Sequence, residues 1–322
     1  MKPNIINVSV IVVTYNRKAL LMECLEALNR QTYPIQKIIL IDNASTDGTK
    51  EEVEASRYNN IDYVLMDKNT GGAGGFYRGL EKAKEEDCDW IWVMDDDTIP
   101  DISSLEKLID GIHKIENHSN ESISFIASAV YGPNGEYMNV PNISRRQSEN
   151  GYSGWYRMLN EGIVCVDSAT FVSILIKRDA VMKCGLPCKD YFIWGDDIEY
   201  TSRLTKFYGT GYFTGQSFVI HKRFNAKKLD IVFEDNQSRL MLYHYLYRNQ
   251  AINDMFYNNK RKFTTLLRGI KESLRVLSGS GGIKRAFIVL KGYIEAMVEY
   301  RRFKDYIQNQ ISNKVNVHVA ND

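Results

Sequence analysis

Trp90-Ile91-Trp92-Val93-Met94-Asp95-Asp96-Asp97-Thr98 decides how this chain is read. An apolar run bounded by charge predicts a strand in the middle of a sheet, covered on both faces. Three adjacent carboxylates repel one another and are tolerated where they are solvated or where a cation sits among them. Asp95 and Asp97 are two apart, so on an extended chain they point to one side. That pair suits a hard, oxygen-seeking divalent ion such as Mg²⁺ or Mn²⁺. The same residues also fit an Asp-rich turn capping a helix that begins at Ile99-Pro100-Asp101.

The residues before this stretch alternate in type. Val8 to Thr14 predicts a buried strand, and Lys18 to Gln31 a helix with Leu20, Leu21, Cys24, Leu25 and Leu28 on one face. Lys37 to Ile41 predicts a second strand, ending in the polar loop Asp42-Asn43-Ala44-Ser45-Thr46-Asp47-Gly48, with a helix from Thr49 to Ser56. Ile61 to Met66 predicts a third strand, followed by Asn69-Thr70-Gly71-Gly72-Ala73-Gly74-Gly75 and a helix from Tyr77 to Glu86. Strand–helix alternation of this kind predicts an open parallel sheet with helices on both faces. Such sheets bind ligands beyond the carboxyl ends of their strands. Thr14, Asp42, the glycine loop and Asp95–Asp97 all fall there. The glycine loop either cradles a phosphate through its backbone N–H groups or is a plain tight turn. Arg78 either faces the same pocket or is a solvated helix residue.

Beyond the acids the pattern loosens. Leu105 to Ile115 predicts a helix, Ser124 to Tyr131 a strand, Gly132-Pro133-Asn134-Gly135 a hairpin turn and Val164 to Ile176 a strand pair. Residues 141–161 form a polar loop carrying Tyr152, Trp155 and Tyr156, either sugar-stacking aromatics or a small core under the loop. Asp196 and Asp197 begin a helix, as caps or as functional acids; a helix N-terminus keeps a carboxylate ionised, as a general base requires. Gly211 to Ile220 predicts a strand that delivers His221, a residue that spacing alone does not make a ligand.

From Asn236 the chain predicts three amphipathic helices, with a flexible break at Ser278–Gly282 and a frayed tail from residue 307. Residues 1–235 hold 26 Lys and Arg against 34 Asp and Glu, a net −8, whereas 236–310 hold 14 against 5, a net +9. A basic third behind an acidic body predicts an anionic partner surface: membrane phospholipid, a phosphorylated lipid or nucleic acid. The apolar helix faces fit either packing within or between chains or a membrane surface. Five scattered cysteines, no signal peptide and no apolar run of about 18 residues predict a cytoplasmic chain without a transmembrane helix.

Val10-Ile11-Val12-Val13-Thr14-Tyr15-Asn16, Ile41-Asp42-Asn43-Ala44-Ser45-Thr46-Asp47-Gly48, the glycine loop, Asp95-Asp96-Asp97, Trp194-Gly195-Asp196-Asp197-Ile198-Glu199-Tyr200 and Val219-Ile220-His221 stand in one order. Together they resemble the family 2 inverting glycosyltransferases of the GT-A fold, most closely the galactofuranosyltransferase branch with the rhamnosyltransferases beside it. The resemblance implies a Rossmann-like α/β fold with an open, mainly parallel sheet and a C-terminal helical extension. It divides the chain into a nucleotide-sugar transferase domain at 1–235, a basic extension at 236–310 and a flexible tail at 311–322. It implies that Thr14, Asp42, Gly71, Gly72, Gly74, Arg78 and Asp96 meet the nucleotide or donor sugar. Asp95, Asp97 and His221 would hold Mn²⁺ or Mg²⁺. Asp197 would be the catalytic base, with Trp194 and Asp196 on the acceptor.

The expectation is a metal-dependent transferase moving a sugar, foremost galactofuranose from UDP-galactofuranose, to a polysaccharide or lipid-linked glycan. It would be cytoplasmic or peripheral on the inner membrane face, with a homo-oligomer open. Transfer from dTDP-rhamnose, a non-catalytic nucleotide-sugar-binding subunit and a two-carboxylate glycoside hydrolase are the alternatives. Nucleic acid is the weakest partner, because the basic third carries no groove-reading motif.

Overall fold

Alternate residues of each central strand feed two different cores, which is why the strands read as unbroken apolar runs. The computed structural model describes residues 5–56, 58–223, 227–258, 260–279 and 282–315. Its first half runs β1 (Val8–Thr14), α1 (Lys18–Asn29), β2 (Lys37–Asp42), α2 (Thr49–Ala55), β3 (Ile61–Leu65), α3 (Gly71–Ala83) and β4 (Trp90–Asp95). On β4, Trp90, Trp92 and Met94 pack on one side of the sheet with α1 residues such as Leu21 and Leu25. Ile91 and Val93 pack on the other with Phe76 and Leu80 of α3.

The chain continues through β5 (Thr98–Pro100), α4 (Ser104–His118), β6 (Ile123–Tyr131), β7 (Tyr137–Met138), β8 (Asn142–Ile143), β9 (Ile163–Ser168), β10 (Ile174–Lys177), α5 (Arg178–Cys184), α6 (Asp196–Phe207) and β11 (Thr210–His221). The sheet order is β3-β2-β1-β4-β10-β6-β11-β9-β8, with β5 on β11 and β7 on β6. Pairing is parallel from β3 to β4 and between β6 and β11, and antiparallel on both sides of β10. The strand pair expected over 164–176 is two strands that never touch: β10 inserts between β4 and β6, and β9 pairs with β11. Adjacency in sequence does not fix adjacency in a mixed sheet.

The acids do not sit on an extended chain. Backbone turns at Asp96–Asp97 and enters β5, so neither the straight strand nor the helix at Ile99-Pro100-Asp101 forms. The helix expected from Tyr77 begins at Gly71 instead. Glycine is a poor helix former, but here tertiary contact overrides it: a Cβ on Gly75 or Gly79 would strike Val13 or Ile11 of β1. Their absence lets α3 press onto the strand.

Four helices follow: α7 (Gln237–Leu240), α8 (Tyr243–Tyr257), α9 (Lys262–Ser278) and α10 (Gly282–Val315). Their own core includes Tyr243, Tyr247, Ile252, Val289, Tyr293 and Phe303, and it also takes in Ala73 of α3 and Tyr191. Helix α10 runs on past residue 307, where the sequence predicts fraying, to Val315; the rest of the expected tail, 316–322, lies outside the described residues. Part of the expected break at Ser278–Gly282, residues 280 and 281, does too. All five cysteines are buried and no disulfide joins them. Among the described residues no helix is long and apolar enough to cross a membrane.

Candidate active site

Strands β4 and β11 run in the same direction and deliver acids and a histidine to one edge. The antiparallel register of β5 on β11 sets His221 opposite Thr98, next to Asp97. One ligand atom each from Asp95, Asp97 and His221 falls within 4.8 Å of the others. Asp97 Oδ1 is buried without a hydrogen-bond partner, although His221 Nε2 lies only 3.1 Å away. Two converging lone-pair donors, one of them otherwise unsatisfied, fit a shared cation. This cluster is compatible with a divalent metal.

The charges around it are graded. Burial, then repulsion from Asp97, pushes the Asp95 carboxyl up to about 8. Burial pushes Asp96 up to about 6, against the pull of Arg17. Burial also raises Asp97, but the His221 and Arg17 beside it outweigh that and hold it below the ordinary carboxylate value. Asp96 accepts from Thr14 Oγ1 at 2.8 Å. Arg17 bridges Asp96 and Asp97 at 3.1 and 2.9 Å. Thr14 thus spends its hydroxyl on Asp96. Sequence reasoning missed Arg17; its signal was a cation in the loop that leaves β1 at the carboxyl edge.

Asn139 was missed as well. Its Oδ1 lies 3.0 Å from His221 Nδ1. An acceptor there satisfies an Nδ1 proton, so Nε2 is the nitrogen turned toward Asp97 and the one that would offer a lone pair to a cation. Asn139 adopts φ +49°, a left-handed conformation that Asn tolerates better than most residues. Nothing local in the sequence marks this residue as the partner of a histidine on another strand.

The end of β2 forms the next wall. Asp42 is buried and accepts from Ser45 N at 2.7 Å and from the Tyr63 hydroxyl. These contacts use two of a carboxylate's roughly four acceptor positions. Asn43, read only as part of a loop, locks the start of α3: it accepts from Thr70 N at 2.9 Å and donates to Gly71 O at 2.8 Å. Gly71 has φ +72°, and a Cβ on it would collide with the Phe192 carbonyl. Gly74 would meet Thr70, whereas Gly72 faces open space. The glycines therefore serve close packing at Gly71, Gly74 and Gly75, and only Gly72 is left open to a ligand. Arg78 pairs with Glu81 along α3 and is partly exposed.

The second pair of acids rests on the turn 190–195, where Phe192, Trp194 and Gly195 all have positive φ (+64°, +60°, +92°). Side chains of α8 hold this turn. Asn249 Nδ2 donates to the carbonyls of Tyr191, Ile193 and Trp194 at 3.0, 3.0 and 2.6 Å. Asn253 donates to Gly195 O at 2.9 Å, and Arg248 to Asp190 O at 2.8 Å. Arg248 and Asn249 lie in the body of α8. Asp196 is buried and held well above the ordinary value by burial and by Asp197. Asp197 accepts from Ile198 N at 2.7 Å; burial lifts it to about 6, against backbone N–H groups that pull it down. The fully buried Glu199–Arg203 pair fixes α6 below, with Arg203 donating to Cys184 O and Leu186 O at 3.1 and 2.9 Å. The Trp194 ring meets Tyr243 edge-on at 5.2 Å and lies 5.6 Å from the Arg239 guanidinium. In the loop 141–161, Trp155 packs on the core, while Tyr152 and Tyr156 are exposed.

This mixed sheet carries its acid cluster at the carboxyl edge, where open α/β sheets bind their ligands. Residues 9–168 match the model described as Glycosyl transferase family 2, and the chain belongs to that family. It is 27% identical over 203 residues to "Glycosyltransferase AglE" of Haloferax volcanii, covering 62% of this chain and 61% of that one. It is 29% identical over 212 residues to "Galactofuranosyltransferase GlfT1" of Mycolicibacterium smegmatis, covering 62% and 65%. Both matches span less than two thirds of the relative's length. The crystal structure of GalNAc-T7 with UDP, GalNAc and Mn²⁺ superposes with a TM-score of 0.58 at 15% identity, covering 98% of this chain and 59% of that one. The fold is GT-A.

Proposed function

We propose that the protein is a metal-dependent inverting glycosyltransferase that takes a sugar from a nucleotide donor, foremost galactofuranose from UDP-galactofuranose, to a polysaccharide or lipid-linked glycan. The observation that carries this is the convergence of Asp95, Asp97 and His221 within 4.8 Å at the carboxyl edge of the sheet. A divalent ion held there would neutralise the departing diphosphate. The imidazole nitrogen in the donor set favours Mn²⁺ over Mg²⁺, which prefers oxygen alone. Asp42 would accept from the nucleotide base through its remaining lone pairs. Thr14, Gly72 and Arg78 would stand on the donor side, Gly71 and Gly74 would shape it through their close packing, and Asp96 would meet the donor sugar. Trp194 would offer the acceptor sugar an apolar face, and Asp196 would accept from its hydroxyls.

Asp197 would take the proton of the attacking acceptor hydroxyl as its oxygen bonds to the anomeric carbon and the bond to diphosphate breaks. One displacement inverts that carbon and needs no covalent enzyme intermediate. A carboxylate near 6 is ionised at neutral pH yet basic enough to receive the proton. The relatives named galactofuranosyltransferase support the donor. A lipid-linked acceptor would bring the reaction to a membrane face, and with no crossing helix among the described residues that contact would be peripheral.

Thermal shift with UDP- and dTDP-sugars, with and without Mn²⁺, tests the donor. The largest Mn²⁺-dependent stabilisation is expected from UDP-galactofuranose; dTDP-rhamnose winning instead would move the protein to the rhamnosyl branch. Asp197→Asn is expected to retain that stabilisation and lose transfer. In the parent enzyme, kcat is expected to fall as pH drops below about 6, as the base protonates. Donor binding without transfer by the parent, given the right acceptor, would favour a non-catalytic subunit.

A further inference from the structure

Helices α9 and α10 carry large apolar side chains that stay exposed among the described residues. On α9 these are Phe263, Leu267, Ile270, Leu274 and Leu277, spaced by four, three, four and three. That spacing draws one straight stripe along a helix. On α10, Ile283, Phe287, Ile294 and Val298 draw a second. All nine are between 43% and 80% exposed.

The two stripes look the same way. Gly269 closes on Tyr293, and Lys262 reaches Met297 O at 3.4 Å, so the helices lie antiparallel with a seam through these residues. At roughly 100° per residue, each stripe stands about a quarter turn from the seam in the direction of increasing residue number. Antiparallel helices reverse that rotation relative to each other, so both stripes emerge on one side. By the same count Lys271 of α9, and Lys284, Lys291 and Arg302 of α10, fall on the flanks turned away from the seam; Glu295 and Glu299 stand beside Lys291 and Arg302, whereas Arg275 turns to Asp230 and Glu272. The hairpin presents an apolar floor with basic outer edges.

We propose that this face of the α9–α10 hairpin docks onto an anionic lipid bilayer, lying in its interface. An apolar stripe edged by Lys and Arg matches that boundary: the apolar residues enter the headgroup region while the cations meet lipid phosphate. Charge argues against a second copy, which would set two segments of net +9 face to face. The inference goes beyond the donor reading and stands on the shape and charge of this hairpin alone.

The test is co-sedimentation of the full chain with vesicles of phosphatidylcholine, with and without phosphatidylglycerol. Binding to the anionic vesicles is expected, weakening as salt rises. Leu267→Asp with Leu274→Asp is expected to lower it about tenfold or more, as is Phe287→Ser with Val298→Ser on the other helix. These sites are exposed, so both variants are expected to keep the parent's melting temperature and its Mn²⁺-dependent response to nucleotide sugar. Absence of vesicle binding, or equal binding to neutral vesicles, overturns the proposal. So does a dimer of the parent that the same substitutions dissolve while vesicle binding persists. Loss of the nucleotide response alone would count against the transferase reading and leave this one standing.

Discussion

Burial and the neighbouring Asp97 push the Asp95 carboxyl up, so a metal bound there would displace a proton. Its folded value, about 8, lies above the ordinary carboxylate value, so ionising it costs the metal-free fold stability as pH rises toward 8. A bound cation reverses that by requiring the carboxylate. Mn²⁺ affinity is therefore expected to climb roughly tenfold per pH unit between about pH 6 and 8. Calorimetry in buffers of different ionisation enthalpy would count the proton released. Asp95→Asn should raise the metal-free melting temperature at pH 8 and abolish the Mn²⁺ response. Asn139 invites a paired comparison, because its side chain and its backbone angle are separate demands. Asn139→Gly keeps the positive φ and removes the acceptor; Asn139→Asp keeps both. Mn²⁺ affinity, read by titration, is expected to drop about 10- to 100-fold in the glycine variant and to survive in the aspartate variant. Equal losses in both would mean that the acceptor atom does not matter.

Helix α8 acts on the acids without touching them. Three carbonyls of the turn 190–195 depend on the Asn249 amide alone or in part, and three residues of that turn are held at positive φ. Backbone in that state persists only where its surroundings determine it. Asn249→Ala takes their side-chain donor from the part-buried carbonyls of Ile193 and Trp194, while Tyr191 O keeps Ile193 N and Arg248; the cost is about 1 kcal/mol, measurable by urea denaturation. The sharper readout is kinetic: kcat is expected to fall more than donor affinity, since the turn carries Asp196 and Asp197 rather than Asp95 and Asp97. The glycine-rich start of α3 makes the same point from the opposite side. The turn 190–195 approaches Gly71 so closely that any side chain there would displace it.

The helical third and the sheet share packing as well as hydrogen bonds. Ala73 of α3 and Tyr191 belong to the same buried cluster as Tyr243, Val289 and Phe303. Tyr191 also donates to Asn253 Oδ1 at 2.7 Å, and Tyr257 donates to Glu199 Oε1 at 2.6 Å. Residues 236–310 therefore behave as part of the site's wall. A chain ending at Asp235 is expected to lose the cooperative thermal transition that the parent shows in calorimetry and to lose the nucleotide response. A truncated chain that melts cooperatively and still responds would show the sheet to be self-sufficient.

What lies along a single stretch was legible beforehand. The central strands announced themselves because a strand buried on both faces must be apolar at every position, and the acids at their ends because a carboxyl edge must be polar. Asp95 and Asp97 were reached from their spacing at a strand end, His221 through the order of short segments in a family resemblance, and α9 and α10 through their periodicity. Contacts between distant strands were not legible. Nothing local sets β10 between β4 and β6, places His221 beside Asp97, or tells Arg17 and Asn139 from any other polar loop residue. The glycines of α3 looked like a loop because intrinsic propensity disfavours them in a helix, and the reason they are there is a neighbouring strand. Periodicity reports which face of an element is buried; only the folded chain decides what that face is buried against, and at this site that choice brings Asp95, Asp97 and His221 together and holds the turn beneath Asp197.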